Sequence, residues 1–220
     1  MATLEQIRAR LTRIIHDVSY TADDLDEFIN EAYMRSASLV LLPDLESSGT
    51  ITTSPASFSV SIPAAWNFDR NLYICSPVIE SEEPTIEVLS SIAVLARRFP
   101  DYRFSAPAGP VQVCTTTRTS FFYYAIPDIA TQFNCAFYRT PILLVNDEDI
   151  PVSLPDFLHY QLLVAGAAAE IFSIAEEGND GVMINTNKYN KKFDKGIEDL
   201  ASYFKTGQSR PQPSRQSSWE

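Results

Sequence analysis

Between residues 157 and 175 the chain is apolar on every helical face, and Glu170 is its only formal charge. A helix of that kind has no face to give to water, so other elements must cover it on all sides. It is predicted to be the central helix of a small bundle. Pro155 suits the first helical position, where its fixed φ and missing N–H cost nothing, and the start is expected at Ser153 or Leu154. Gly166, Ala167, Ala168 and Ala169 would let neighbouring backbones come close. A membrane span is the competing reading. The uncharged part ends before Glu170, short of the roughly 20 apolar residues a bilayer needs, so it is set aside.

A chain of 220 residues can bury one good core, or a core with a small satellite domain. An apolar fraction of 45% with 10 Tyr and 13 Phe makes it globular rather than disordered. The opening residues mix Glu5, Arg8, Arg10 and Arg13 among apolar positions, unlike a secretory signal, and imply a protein kept in the cytoplasm. Cys75, Cys114 and Cys135 are odd in number and widely spaced, and they read as buried free thiols. Neither His16 nor His159 has a second ligand three or four residues on, so no metal site and no cofactor is expected.

The net charge of −11 is unevenly spread. From Asn187 onward seven Lys and Arg face four acids, a local +3 that leaves −14 for the rest. A basic end on an acidic body can reach an acidic partner, or a neighbouring copy of itself, by attraction.

Taken in order, residues 3–17 read as a first helix with Thr3 and Gln6 at capping-box spacing. Thr21 caps a second, with acids in its first turn and an end near Leu42 and Pro43. From Gly49 the period becomes two: residues 50–53 and 58–62 suggest a half-buried hairpin and residues 71–75 a third strand. Residues 83–98 return to helical spacing. Strands are expected at 111–115, 120–125 and 133–139, with Pro127 and Asp128 turning between the last two. A last amphipathic helix spans about 185–204, carrying Tyr189, Phe193, Ile197, Leu200 and Phe204. The fold class is thus α+β: a helical bundle (1–45 and 150–205) interrupted by a β-rich insert with one short helix (46–149), and an extended, flexible C-terminal tail (206–220).

Catalytic signatures are missing: there is no G-x-S-x-G elbow, no phosphate loop and no G-x-G-x-x-G, with only seven glycines in all. The acidic cluster of Asp23, Asp24, Asp26 and Glu27 fits the helix dipole. Asn146, Asp147, Glu148 and Asp149 lack the order of a calcium loop and read as a solvated turn. His159 would need a nucleophile to act as a base, and Arg139 is expected to pair with an acid of the Asp147 turn or to face a partner.

With these residues in hand, the chain resembles the adaptor, or head-to-tail connector, proteins of tailed bacteriophages. The likeness rests on Tyr20-Thr21-Ala22-Asp23-Asp24-Leu25 leading to Asn30-Glu31-Ala32, on Phe99-Pro100-Asp101 before the Pro-Gly turn, and on Ile126-Pro127-Asp128. It continues through Phe137-Tyr138-Arg139-Thr140-Pro141 and from Ile150-Pro151 to Leu154-Pro155-Asp156-Phe157. Their succession over residues 4–178 is more specific than any one piece.

The resemblance implies a non-enzymatic virion protein: a ring, usually of twelve copies, under the portal protein at the neck, assembled in the host cytoplasm. Its β part would face a tail or nozzle protein. Genomic DNA would pass through the lumen without specific binding, which an acidic body favours by repulsion. The C-terminal segment would order on the portal or a neighbour, with Arg210, Arg215 and Trp219 as interface anchors. The β insert is larger than in compact members. Two rivals are weighed: a hydrolase built from Asp128, His159 and an acid of residues 147–149, and a carbohydrate- or ligand-binding β module using Phe121, Phe122, Tyr123 and Tyr124.

Overall fold

A computed structural model describes residues 1–17, 19–78, 86–104, 106–177 and 183–208. The fold is mixed α+β, with five α-helices and two sheets among the described residues. The chain divides into two compact units: residues 1–44 with 141–220, and residues 45–140.

The first unit is helical. Helix α1 (Leu4–Ile15) starts at Thr3, whose hydroxyl accepts from Gln6 N–H while the Gln6 side chain accepts from Thr3 N–H, completing the predicted capping box. Helix α2 (Ala22–Leu39) starts the same way at Thr21 with Asp24. It stops three residues before the expected end at Leu42: Val40 is already extended, and its N–H closes the helix on Ser36 O. Pro155 sits just before a 3₁₀ turn (Asp156–Leu158), followed by one wide π-helical turn (Tyr160–Val164) that runs into helix α4 (Ala165–Glu176).

Helix α4 packs against α1, α2 and helix α5 (Ile184–Gln208). By length and composition Asp156–Glu176 is apolar enough to cross a membrane, yet 61% of its most apolar window is buried inside the protein. Gly166 marks the tightest approach: a Cβ there would lie 2.7 Å from the Ala32 Cβ and 3.0 Å from the Phe193 ring. The small-residue run therefore does what its composition predicts. Helix α5 buries Tyr189, Phe193 and Leu200 and continues to Gln208, so residues 206–208 are helical rather than the start of the tail. Arg210, Arg215 and Trp219 lie outside the described residues.

The second unit holds two sheets. Strands β1 (Glu46–Thr52), β7 (Gln132–Arg139) and β3 (Phe68–Pro77) form one, in the order β1-β7-β3 and antiparallel throughout. Strands β2 (Ser59–Ser61), β6 (Ser120–Tyr124), β5 (Val113–Thr116) and β4 (Glu87–Val88) form the other, in the order β2-β6-β5-β4. Two expectations need correction here. The segments at 50–53 and 58–62 do not pair as a hairpin, since β1 joins β7 and β2 joins β6. Thr53 and Thr131 exchange bonds just past β1, Thr53 N–H to Thr131 O at 2.9 Å and Thr131 N–H to Thr53 Oγ1 at 3.0 Å, holding the strand to its distant partner.

Of the helix expected at 83–98, residues 83–85 lie outside the described residues, and among residues 86–98 the helix is α3 (Ile92–Arg98), capped by Ser91. Glu87 and Val88 run parallel to Val113 and Cys114 instead, and Ile86 N–H donates to Cys75 O at 2.9 Å.

Phe121 and Tyr123 of β6 join Ile51, Phe68, Cys75, Phe133 and Phe137 in one buried cluster, while Phe122 and Tyr124 pack outward with Leu95 and Phe99. Trp66 stacks on Phe137 at 4.6 Å and lies over Gly49, where any Cβ would overlap the indole.

Candidate interaction surfaces

Catalysis is tested first at His159, which is 0% exposed. Its Nδ1 accepts from Ala2 N–H at 3.3 Å, and its Nε2 lies 3.0 Å from the Leu154 carbonyl oxygen, to which it donates. Both ring nitrogens are thereby occupied by backbone, and neither can take a proton from a substrate. The ring holds the amino-terminal residues to the start of the central helix.

The acidic turn is structural as well. Asp149 accepts from the N–H groups of Asn146 and Val145, at 2.8 and 2.7 Å, and those backbone bonds lower its pKa below the ordinary aspartate value. Carbonyls of the same turn accept from α1: Leu4 N–H donates to Asp149 O at 2.9 Å and Glu5 N–H to Asp147 O at 3.1 Å. Two of the unpaired donors at that helix start are satisfied in this way. Arg8 ties the pieces together, with Nε and Nη2 on the Asp26 carboxylate at 2.7 and 2.6 Å and Nη1 on Asp147 at 2.9 Å. Asp147 is thus engaged by Arg8 rather than by Arg139, whose Nε is buried without a hydrogen-bond partner.

The aromatics proposed as a ligand platform on β6 are used for packing on both faces of their sheet, so the sugar-binding reading loses its site. All three cysteines are free and buried. The Cys114 thiol beside Cys75, together with burial, outweighs the opposing effect of Cys135 and raises the Cys75 pKa well above the usual thiol range, and Cys75 with burial does the same for Cys135, so these two thiols stay protonated and inert. Among the described residues no group of three metal-ligating side chains converges.

What remains exposed is surface suited to partners. Ile142, Leu143, Val145, Val152 and Phe157 fall within one stretch of the helical unit, and each is at least half exposed. The Asn30 amide holds this stretch at Leu144, donating to its carbonyl at 2.9 Å and accepting its N–H at 2.8 Å. Buried Leu144, Ser153 and Leu154 alternate with these exposed side chains, so the stretch is anchored in the unit while it presents apolar groups to its surroundings.

A second surface is a groove of about 510 Å³ between α1, the wide Tyr160–Val164 turn and α5. Arg10, Tyr160, Tyr189, Lys192 and Lys195 line it. An adjoining recess shares Arg10, Tyr160 and Lys192 and adds Arg13. The Arg10 guanidinium lies 4.3 Å over Tyr160 and the Lys192 ammonium 4.9 Å over Tyr189. The basic end of the chain was legible in composition. Its assembly with Arg10 and Arg13 was not, although those two lie three residues apart on the polar side of α1.

Carboxylates at helix starts give the helical unit a predicted acid limit. Burial raises the Glu176 pKa, but bonds from the N–H and hydroxyl of Thr186 and from Asn185 outweigh it and hold the group below its ordinary 4.5. The Thr21 hydroxyl and N–H hold Asp24 below its ordinary 3.8. A lowered folded-state pKa means that the unfolded chain binds more protons, so this stability is complete above about pH 4.5 and is lost as pH falls through the lowered values. Helicity followed by circular dichroism is expected to fall over that range, and Glu176→Gln should make the fall shallower. An unchanged acid limb in that variant would refute the assignment.

The chain matches the family model described as SU10 adaptor protein over residues 2–217. No curated protein gives a significant match.

Proposed function

The chain belongs to the SU10 adaptor protein family, and from that premise we propose that it is a structural virion protein joining a phage head to its tail. In this reading it forms a ring, of twelve copies, beneath the portal protein in the neck, and it is assembled in the host cytoplasm without a membrane. The β unit meets the tail or nozzle component, and the genome passes through the lumen without specific binding. The helical unit, assembled from the two parts of the chain that flank the β unit, supplies the lateral contacts. The tail carries Arg210, Arg215 and Trp219 to the portal or to a neighbour and orders there.

The match across residues 2–217 carries this reading. Two features support it. The chain's best candidate for a general base is walled in by backbone, and Ile142, Leu143, Val145, Val152 and Phe157 expose apolar surface that assembly would cover. A protein whose work is contact needs surface rather than a reactive cleft.

Light scattering of the purified protein, alone and mixed with its portal, tests the proposal. The expected result is a small species alone that joins the portal in a stoichiometric ring. A protein that ignores the portal, at low and moderate salt alike, would sink it. Truncation after Gln208 should weaken that binding at least tenfold while leaving the helical content of residues 1–208 in place.

A further inference from the structure

The basic groove has a counterpart on the opposite kind of surface of the same unit. On α2 the residues Asp23, Glu27 and Glu31 recur every four positions and all are exposed. They point away from the buried set Leu25, Ile29, Ala32 and Ser36, which packs toward α4. Among the described residues none of the three forms an ion pair, and Arg8 of the neighbouring helix is engaged by Asp26 and Asp147. Nor does any of Arg10, Arg13, Lys192 and Lys195 have a carboxylate partner.

We propose that neighbouring copies meet through these two surfaces: the basic, aromatic groove of α1 and α5 on one copy receives the acidic outer face of α2 of the next. This rests on the ring reading above and specifies its lateral contact. Three observations carry it. The lengths agree: at 1.5 Å per residue the acidic row from Asp23 to Glu31 spans about 12 Å, and the basic row of α5, Lys192 and Lys195 in the groove with Lys188 beside it over the Tyr189 ring, spans about 10 Å. The acidic row faces away from its own core, so the unit that bears it cannot fill its own groove with it. The surfaces are different patches of one chain, and joining unlike patches gives a head-to-tail contact, the kind that closes into rings. Like-charged patches of the same copies repel, which fixes the register of each neighbour.

A nucleic acid is the other polyanion to consider. Asp194, Glu198 and Asp199 lie exposed among the lysines of α5, and Asp199 lines the groove, where it accepts from Gln161 Nε2 at 3.1 Å. A phosphate chain would meet those carboxylates along its path, whereas a short row of acidic side chains set every four residues can sit between them. The groove's aromatic walls suit the methylene stems of such a helix.

The test is a pair of charge reversals in the full chain: Lys192→Glu with Lys195→Glu in the groove, and Glu27→Lys with Glu31→Lys on α2. All four positions are exposed, and circular dichroism verifies that each variant keeps its helices. Ring formation on the portal is read by light scattering. Each variant alone is expected to assemble at least tenfold less well than the native protein at low salt. An equal mixture of the two should recover, because alternating copies then match charge at every contact. Oxidation of assembled rings carrying Glu27→Cys and Lys192→Cys should link neighbours in a ladder, and the native thiols are too buried to compete.

Reversed variants that assemble normally and show no ladder overturn the inference while leaving the ring intact. A loss that mixing does not restore also overturns it. So does tight binding of a DNA duplex that the groove reversal abolishes without harm to the ring. Failure of the native protein to form any ring overturns the inference together with the reading on which it rests.

Discussion

Gly166→Leu is expected to unfold the helical unit or to lower its stability by about 3 kcal/mol or more. A helical glycine normally costs about 1 kcal/mol relative to alanine, so on propensity alone a larger residue should help. Here the space decides otherwise. The first added carbon would lie 2.7 Å from the Ala32 Cβ, a methyl fixed to the α2 backbone that cannot rotate aside, and 3.0 Å from the Phe193 ring of α5. Separating the helices to admit a whole leucine would break contacts with both neighbours at once, and overpacking of this kind costs about 1–3 kcal/mol even for smaller insertions. Gly166→Ala should show the same sign with a smaller effect. Urea unfolding followed by far-ultraviolet circular dichroism measures both, and a leucine variant with an unshifted midpoint would refute the close approach.

The second large effect is expected in the β unit. Phe137 is 1% exposed, stacked under Trp66 at 4.6 Å and tilted against Phe68 at 5.5 Å. It sits on β7, the strand that both β1 and β3 require. Phe137→Ala should cost about 3–5 kcal/mol, the usual range for an aromatic removed from a core that cannot close over the gap. Trp66 is one of only two tryptophans, so its fluorescence reports the site directly. A red-shifted emission and an earlier midpoint are expected, with Phe137→Leu losing less. If the alanine variant keeps the native emission and midpoint, the stack has been misjudged.

These two sites differ in how far the sequence revealed them. The closeness at Gly166 follows from small residues in a helix with no polar face, and capping at Thr3 and Thr21 follows from side chains that bond only a few residues away. Such local signals need no knowledge of the rest of the chain. The core position of Phe137 follows from alternation along β7, but its sheet neighbours do not. Period two says which side of a strand is buried and is silent on which strand lies beside it, so nothing in the segments at 50–53 and 58–62 tells that their partners are β7 and β6 rather than each other. Glu87 and Val88 read as helical for a related reason. Two residues in a parallel bridge carry no period at all, and the helical spacing of α3 just after them overran the boundary.

The interaction surfaces were legible only in fragments. Lysine enrichment near the end of the chain marked one wall of the groove, but Arg10 and Arg13 reach it only because α1 packs beside the wide turn at Tyr160–Val164. Arg8 gave no hint of its partners, since Asp26 lies in the next helix and Asp147 far along the chain. Family membership was legible because it rests on the order of caps, turns and prolines, which are local. A base role for His159 finds no partner in the sequence around it, and the backbone bonds to both of its ring nitrogens, which no local pattern foretells, close off that role in the structure.

The order of elements also governs how the chain can be made. The β unit is a single uninterrupted stretch, whereas the helical unit is written in two parts, one on either side of it. As the chain leaves the ribosome, α1 and α2 emerge first with their apolar faces uncovered, because α4 and α5 are still to be translated. The β unit is complete well before them. Synthesis therefore presents a finished domain tethered to an orphan hairpin of helices, and the interval before α4 appears is when that hairpin depends on its caps, on the Arg8–Asp26 clasp and on the chaperones of the cell.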